Sequence, residues 1–396
     1  MSLTTHVLLA LLATVTRARL ATVRAHEDLA ATTRPPEAKS RSLPESFSWR
    51  DHGLLAPSWN QHVPQYCGAC FAFGTAHALQ DRLKIARARA QTDLYRGPDL
   101  LVAVQVLLNC GGEDSGWGRA GNCHEGGSAT GAYAWAKRFG GWPSATCFPY
   151  QAQDGLGCRG DTICRNCMPT TGGDHACWAV PGDAADAQPC DNGGSCATSP
   201  YPRVAVGAHG ALPGSAAVGA QAAAEAIQRE VARAGPVTCN LDAGPLMAYT
   251  SGIANANPPA GRGANDTDHV VEVVGWGVDD GTPYWEIRNS WGEYWGDAGF
   301  GRVLRGVDDS MIESSCTWAE IGGWGAPGAT WQEAAASDDG MDAIAFVHAP
   351  APWAWEPVRG GADPVRLALL VVVVAAVAAV VLRRRAVHAP ATSFGP

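Results

Sequence analysis

Gln61-His62-Val63-Pro64-Gln65-Tyr66-Cys67-Gly68-Ala69-Cys70-Phe71 is the stretch on which the fold turns. Beyond it, Ala72, Ala76, Leu79, Leu83 and Ala86 recur at alternating steps of four and three, so the spacing predicts a helix that Cys70 opens. A thiol at a helix N-terminus meets unpaired backbone N–H groups and the positive end of the helix dipole, and both favour its anion. Cys67 and Cys70 also make a CxxC, a spacing shared with redox pairs and with half of a zinc site. The segments further along the chain narrow those readings.

Asp268-His269-Val270 leads into Val270 to Trp276, a β-branched and aromatic run, and Tyr284 to Ile287 is a second one. Asp279, Asp280 and Gly281 between them suit the turn of a hairpin. Arg288-Asn289-Ser290-Trp291-Gly292 follows, with Asn289 twenty residues after His269. An early helix with later strands is an α+β plan.

A helix-opening Cys, a strand-opening His and an Asn-Ser-Trp-Gly block, in that order, resemble the papain family of cysteine peptidases. Cys67-Gly68-Ala69-Cys70 carries the same resemblance, with Phe71 where the family usually has Trp or Tyr. The resemblance implies a papain-like two-lobed fold, a helical left lobe and a β-barrel-like right lobe with the cleft between them. It implies Cys70 as nucleophile, His269 as its base, Asn289 as the group that orients the imidazole, and Trp291 as the cover over that hydrogen bond. The oxyanion formed on attack needs fixed donors, and the family uses the Cys backbone N–H with an upstream Gln. Gln61 and Gln65 compete for that role. Within the family, the cathepsin X-like (also called Z-like) branch carries a three-residue His-Ile-Pro insertion between the Gln and the Cys; His62-Val63-Pro64 fits it and selects Gln61. In that branch the inserted His meets the C-terminal carboxylate of the substrate, a charge-assisted contact suited to an acidic compartment. His62 would then restrict cleavage to terminal residues, and Gly126-Gly127 would let the substrate backbone approach.

By the same resemblance Cys67 pairs with Cys123, Cys110 with Cys147 and Cys239 with Cys316. Cys158, Cys164, Cys167, Cys177, Cys190 and Cys196 are then available for three further bridges, with Cys70 left over from the thirteen. Cys164-Arg165-Asn166-Cys167 as half of a zinc site is the alternative. No metal and no organic cofactor is implied. Cys70 and His269 stand further apart in sequence than is usual in the family, which places an insertion between them, with Ala179 to Pro202 as the candidate. The segment before Leu43 has no cysteine to cap the active thiol, and Asn265-Asp266-Thr267 is a glycosylation sequon just ahead of Asp268.

Many cysteines point to an oxidising lumen, and a net charge of −9 offers no footprint for nucleic acid. Val7 to Val15 reads as the apolar part of a signal over residues 1–25, followed by a short leader over 26–42. The peptidase domain is expected over 43–321, a flexible stalk over 322–365, a transmembrane helix over 366–383 and a cytoplasmic tail over 384–396. Leu367 to Leu382 is apolar throughout, and Arg383, Arg384 and Arg385 after it orient the tail to the cytosol. The expected molecule is a monomeric, membrane-tethered carboxypeptidase acting on peptides or proteins with a free C-terminus, in the lysosome, the endomembrane lumen or at the cell surface. An endopeptidase of the same fold, and an inactive membrane-bound receptor or scaffold, are the two other readings the sequence leaves open.

Overall fold

In the computed structural model, which describes residues 42–89, 99–112, 119–169, 175–179, 201–255 and 264–325, the predicted helix is α1, Cys70–Arg89. A helix with a single apolar face packs on one layer. This one is buried almost all round, its polar Thr75, His77, Gln80, Asp81 and Arg82 included, because it lies between two cores. On one side Phe71, Ala72, Phe73, Ala76, Leu79 and Leu83 join residues of α2 (Val104–Cys110) and α3 (Ala129–Arg138). Ser128 starts α3 by accepting the Gly131 N–H on its hydroxyl, at 3.0 Å. On the other side Ile85 joins Trp49 and the sheet residues Val237, Val273, Trp285 and Ile287.

Between α1 and α3 the chain makes a small ladder of β2 (Gly121–Asn122) and β3 (Gly126–Gly127). The main sheet of the described residues has nine strands. They are β1 (Phe47–Ser48), β4 (Trp142–Pro143), β7 (Arg203–Ala211), β8 (Val237–Leu241), β9 (Ile253–Ala254), β10 (His269–Asp279), β11 (Thr282–Arg288), β12 (Phe300–Leu304) and β13 (Cys316–Gly325). Their order is β4-β7-β13-β8-β10-β11-β12-β9, with β1 also on β10. The turn from β10 to β11 is Asp280-Gly281, both at positive φ, the two-residue loop whose twist matches the strands it joins. Strand β10 alternates faces: Val270 belongs to the first core, Val271 and Val273 to the second. A bulge between Val273 and Gly275 brings β1 so close that a Cβ on Gly275 would stand 2.4 Å from the Phe47 carbonyl oxygen. The amphipathic helix α6 (Ala220–Ala234), which follows the short helix α5 (Ser215–Val218), covers the second core with Ala224, Ile227 and Val231.

Cys67 is bridged to Cys123 and Cys239 to Cys316. The expected Cys110–Cys147 bridge is absent: Cys110 is joined to Cys158 and Cys147 to Cys164. The short helix α4 (Gly160–Ile163) docks on α2 through Asn109 Nδ2, which donates to the Thr162 carbonyl at 2.8 Å, and this sets Cys158 beside the last residue of α2. Arg165 N–H donates to the Cys147 carbonyl at 3.1 Å, which aligns Cys147 with Cys164. Cys164 is therefore unavailable to a zinc site. A two-stranded ladder, β5 (Arg165–Pro169) and β6 (His175–Ala179), follows. Among the described residues Cys70 is the free cysteine.

The expected signal, transmembrane helix and tail, the leader apart from Ser42, the stalk beyond Gly325 and most of 179–202 lie outside the described residues. Among the described residues no helix is long and apolar enough to cross a membrane.

Candidate active site

Two constraints place Cys70. The Cys67–Cys123 bridge and the Gly68 N–H, which donates to the Cys123 carbonyl at 2.8 Å, pin the loop before it. The Ala69 carbonyl then accepts the Ala72 and Phe73 N–H groups and starts α1. A side chain at position 68 would meet the Cys123 carbonyl oxygen at 2.8 Å, so this approach requires glycine. Cys70 is 8% exposed as a residue, and its thiol lies under the backbone N–H of Val270, the residue immediately after His269. Helix α1 and strand β10 thus bring Cys and His blocks together at one point.

His269 is the first residue of β10, and its Nε2 lies 2.8 Å from Asn289 Oδ1. An amide oxygen only accepts, so Nε2 carries the hydrogen and Nδ1 is the basic nitrogen of the neutral ring. Trp291 packs on the imidazole with ring centroids 4.8 Å apart. Asn289 is itself held by its own N–H to the Gly299 carbonyl and by the Ser290 N–H to Oδ1.

Gln61 is buried and braced from both blocks. Its Nε2 donates to the Cys67 carbonyl at 2.9 Å, its Oε1 accepts from Ser290 Oγ at 2.6 Å, and its own N–H donates to the Ser290 carbonyl. Gln65 instead is exposed and donates to the Ala152 carbonyl. His62 is half-buried, stacked on Tyr66 with centroids 4.9 Å apart, and its Nδ1 is buried without a hydrogen-bond partner. Its charge is felt by His269, which puts the two rings in one electrostatic neighbourhood.

Gly126 and Gly127 form β3, and a Cβ on Gly127 would fall 2.3 Å from the Ala120 oxygen and 2.7 Å from the Phe71 ring. The glycine is thus needed for packing on Phe71. Tyr150 joins the site through the fold alone: its hydroxyl donates to the Gln61 carbonyl at 2.7 Å and its ring meets Phe73 edge-on. No periodicity or motif marks that tyrosine. Ser290 belongs to the Asn-Ser-Trp-Gly block, whose sequence carries no signal of its bond to Gln61.

Burial drives both reactive groups toward neutrality. It pushes the Cys70 thiol up to about 11, against the backbone N–H groups of Val270, Phe71 and Cys70 that favour the anion, and Asp268 adds repulsion. It pushes the His269 imidazole down to about 4, against the Asn289 hydrogen bond that favours the cation. The sequence suggested a thiol acidified by its helix; desolvation at this depth outweighs the helix terminus. A thiolate and an imidazolium formed together by transfer of one proton attract each other, and in a poorly solvated site that attraction opposes both shifts.

The family model described as papain family cysteine protease matches residues 43–320. The chain belongs to that family. Its papain-family relatives include cathepsin Z of Onchocerca volvulus, 32% identical over 70% of this chain and 78% of the relative. Cathepsin B-like cysteine proteinase 5 of Caenorhabditis elegans is 31% identical over 73% of this chain and 76% of its own. Among solved structures, digestive procathepsin L2 proteinase from the larval midgut of Tenebrio molitor is similar with a TM-score of 0.50 and 26% identity, covering 71% of this chain and 70% of that one. The papain-family domain is a cysteine peptidase with peptide or protein substrates, and its bridges fit a lysosomal or secreted, lumenal setting.

Proposed function

We propose that the chain is a cysteine carboxypeptidase that removes C-terminal residues through Cys70 and His269. The observation that carries this reading is His62, held in the electrostatic neighbourhood of His269 with an unpartnered Nδ1. A terminal carboxylate beside that ring accepts its hydrogen bond and balances its charge. An internal peptide bond brings no such carboxylate.

The chemistry follows from the pair. Cys70 gives its proton to His269 Nδ1, and the thiolate attacks the scissile carbonyl carbon to form a C–S bond. The oxyanion is received by the Cys70 backbone N–H and Gln61 Nε2. Collapse breaks the C–N bond, and the imidazolium protonates the departing amino acid. Water, deprotonated by the same imidazole, then releases the acyl group and restores the thiol. Asn289 keeps the hydrogen on Nε2 throughout, and Trp291 shields that bond. Gly126-Gly127 offers backbone to the substrate residues on the acyl side.

The reading extends to a monomer anchored through 366–383, which the apolar run and its flanking arginines support. Release of one residue from a peptide with a free C-terminus, compared with its amide, tests the carboxypeptidase assignment. The free acid is expected to react at least about tenfold faster, the difference of one charge-assisted contact. Equal cleavage of the amide overturns it in favour of an endopeptidase. An epoxide thiol inhibitor that fails to label the folded wild-type protein, or labels Cys70→Ser equally, leaves the inactive scaffold.

A further inference from the structure

Three charged side chains meet at zero exposure where α1, β10 and β11 touch. Arg288 Nη2 stands 2.5 Å from Asp81 Oδ2 and 2.6 Å from Glu272 Oε2, and Arg288 Nε donates to Glu272 Oε2 at 2.7 Å. Arg288 Nη1 is taken by the Ala56 carbonyl, and Asp81 Oδ1 accepts the Ala56 N–H at 2.7 Å. The Asp81 and Glu272 carboxyls are within hydrogen-bonding reach of each other, while Glu272 Oε1 receives no N–H or O–H donor.

One guanidinium does not neutralise two carboxylates, and an unpaired buried charge is costly. Among the described residues no second cation is bonded to either carboxyl, and the one other charge that favours the Asp81 anion, that of Lys84, acts from a distance. From α1, His77 has both ring nitrogens without partners and is held neutral by burial and by Arg288, while Lys84 is engaged by Asp99 and the Leu55 carbonyl. From α3 comes the neutral Tyr133 hydroxyl, bonded to Thr238 on β8. Arg82 is paired with Glu230 of α6. Two buried carboxyls within reach of each other, one of them with an oxygen that receives no donor, are the natural place for a proton.

We propose that Asp81 and Glu272 share one proton over Arg288, and that this proton clamps the helix bearing Cys70 to the strands bearing His269 and Asn289, so that the site is held together in acid and loosened as the proton leaves. The connections are short. Glu272 lies on the His269 strand and faces α1 as Val270 does, Arg288 precedes Asn289, and Asp81 stands on the helix that Cys70 opens. All three act as positioning residues. Only the catalytic consequence rests on the peptidase reading; the shared proton itself rests on the cluster.

The sign follows from linkage. Burial raises both carboxyls, Asp81 to about 6 and Glu272 well above its ordinary value of 4.5, so the folded state binds more protons than the unfolded chain. Stability is full below the unfolded carboxylate range and is lost as pH rises through the folded values. The test uses the full chain carrying Cys70→Ser, so that stability is read without turnover. Its thermal midpoint is expected to fall by about 5 °C or more from pH 5 to pH 8. Adding Glu272→Gln, which keeps the bonds but removes a charge, or Asp81→Asn, is expected to flatten that fall. An unchanged slope in both overturns the proposal. Should neither variant fold, the infrared band of a buried protonated carboxyl in the parent at pH 5, lost by pH 8, supports it, and its absence at pH 5 overturns it. In otherwise wild-type protein, Glu272→Gln is expected to extend peptidase activity to higher pH. If no turnover appears at any pH while the variants flatten the slope, the peptidase reading fails and the shared proton stands.

Discussion

Asn289 decides which nitrogen of His269 is basic. Truncation to Ala removes the acceptor of Nε2–H and lets the ring turn or change tautomer, so kcat/KM is expected to fall on the order of 10²-fold with KM little altered. A loss confined to KM speaks against the role. The proposed proton transfer from Cys70 to His269 has its own signature. Without a thiolate beside it, His269 titrates at about 4, so the ring of Cys70→Ala is expected to stay neutral down to that pH. In wild-type protein an ion pair lifts the midpoint, and NMR titration of the ring separates the cases. Equal midpoints sink the pair. His62 adds a third dependence: burial lowers it below its ordinary 6.5, so its cation is lost, and terminal-residue release falls, as pH rises through that lowered value. A rate that climbs steadily to pH 8 contradicts the clamp. Gln61, Cys70, His269 and Asn289 could be singled out because their blocks resemble those of one family, and the fold bonds His269 to Asn289 and Gln61 to the Cys67 carbonyl. Tyr150 and the Asp81–Glu272–Arg288 cluster could not be, since each is a meeting of side chains that only the folded path brings together.

At the scale of elements, α1 and the β10–β11 hairpin were readable, the first from its step of four and three, the second from β-branched runs around Asp280-Gly281. Helix α6 was not read, although Ala223, Ala224, Ile227 and Val231 lie at helical spacing on its buried face, and the pairing of β13 with both β7 and β8 has no local cue at all. Two elements give direct tests. Ser128→Ala leaves the Gly131 N–H without its side-chain acceptor and is expected to cost about 1 kcal/mol in denaturant unfolding, with activity intact. Gly275→Ala drives a methyl into β1 and is expected to cost about 1–3 kcal/mol. A neutral result there would mean that the bulge yields freely.

The described residues rest on two large cores with α1 between them and a small one at Cys147, Cys164 and Tyr201, and the bridges follow that division. Cys239–Cys316 ties β8 to β13, while Cys110–Cys158 and Cys147–Cys164 close loops around α4. Peptide mapping of unreduced protein with free thiols blocked is expected to recover the last two pairs and no peptide joining Cys110 to Cys147. Resemblance alone misassigned that pairing because it depends on where α4 docks, which is a tertiary fact.

Strand β1 also bears on how the described chain withstands degradation. Phe47 and Ser48 pair with Trp276 and Gly275, and the Trp276 indole donates to the Pro44 carbonyl, so the entering chain is sewn onto the strand that begins with His269. An exopeptidase that reaches Pro44 therefore meets backbone already held in the sheet. Each residue removed beyond Pro44 unpicks the edge that keeps the imidazole strand in register.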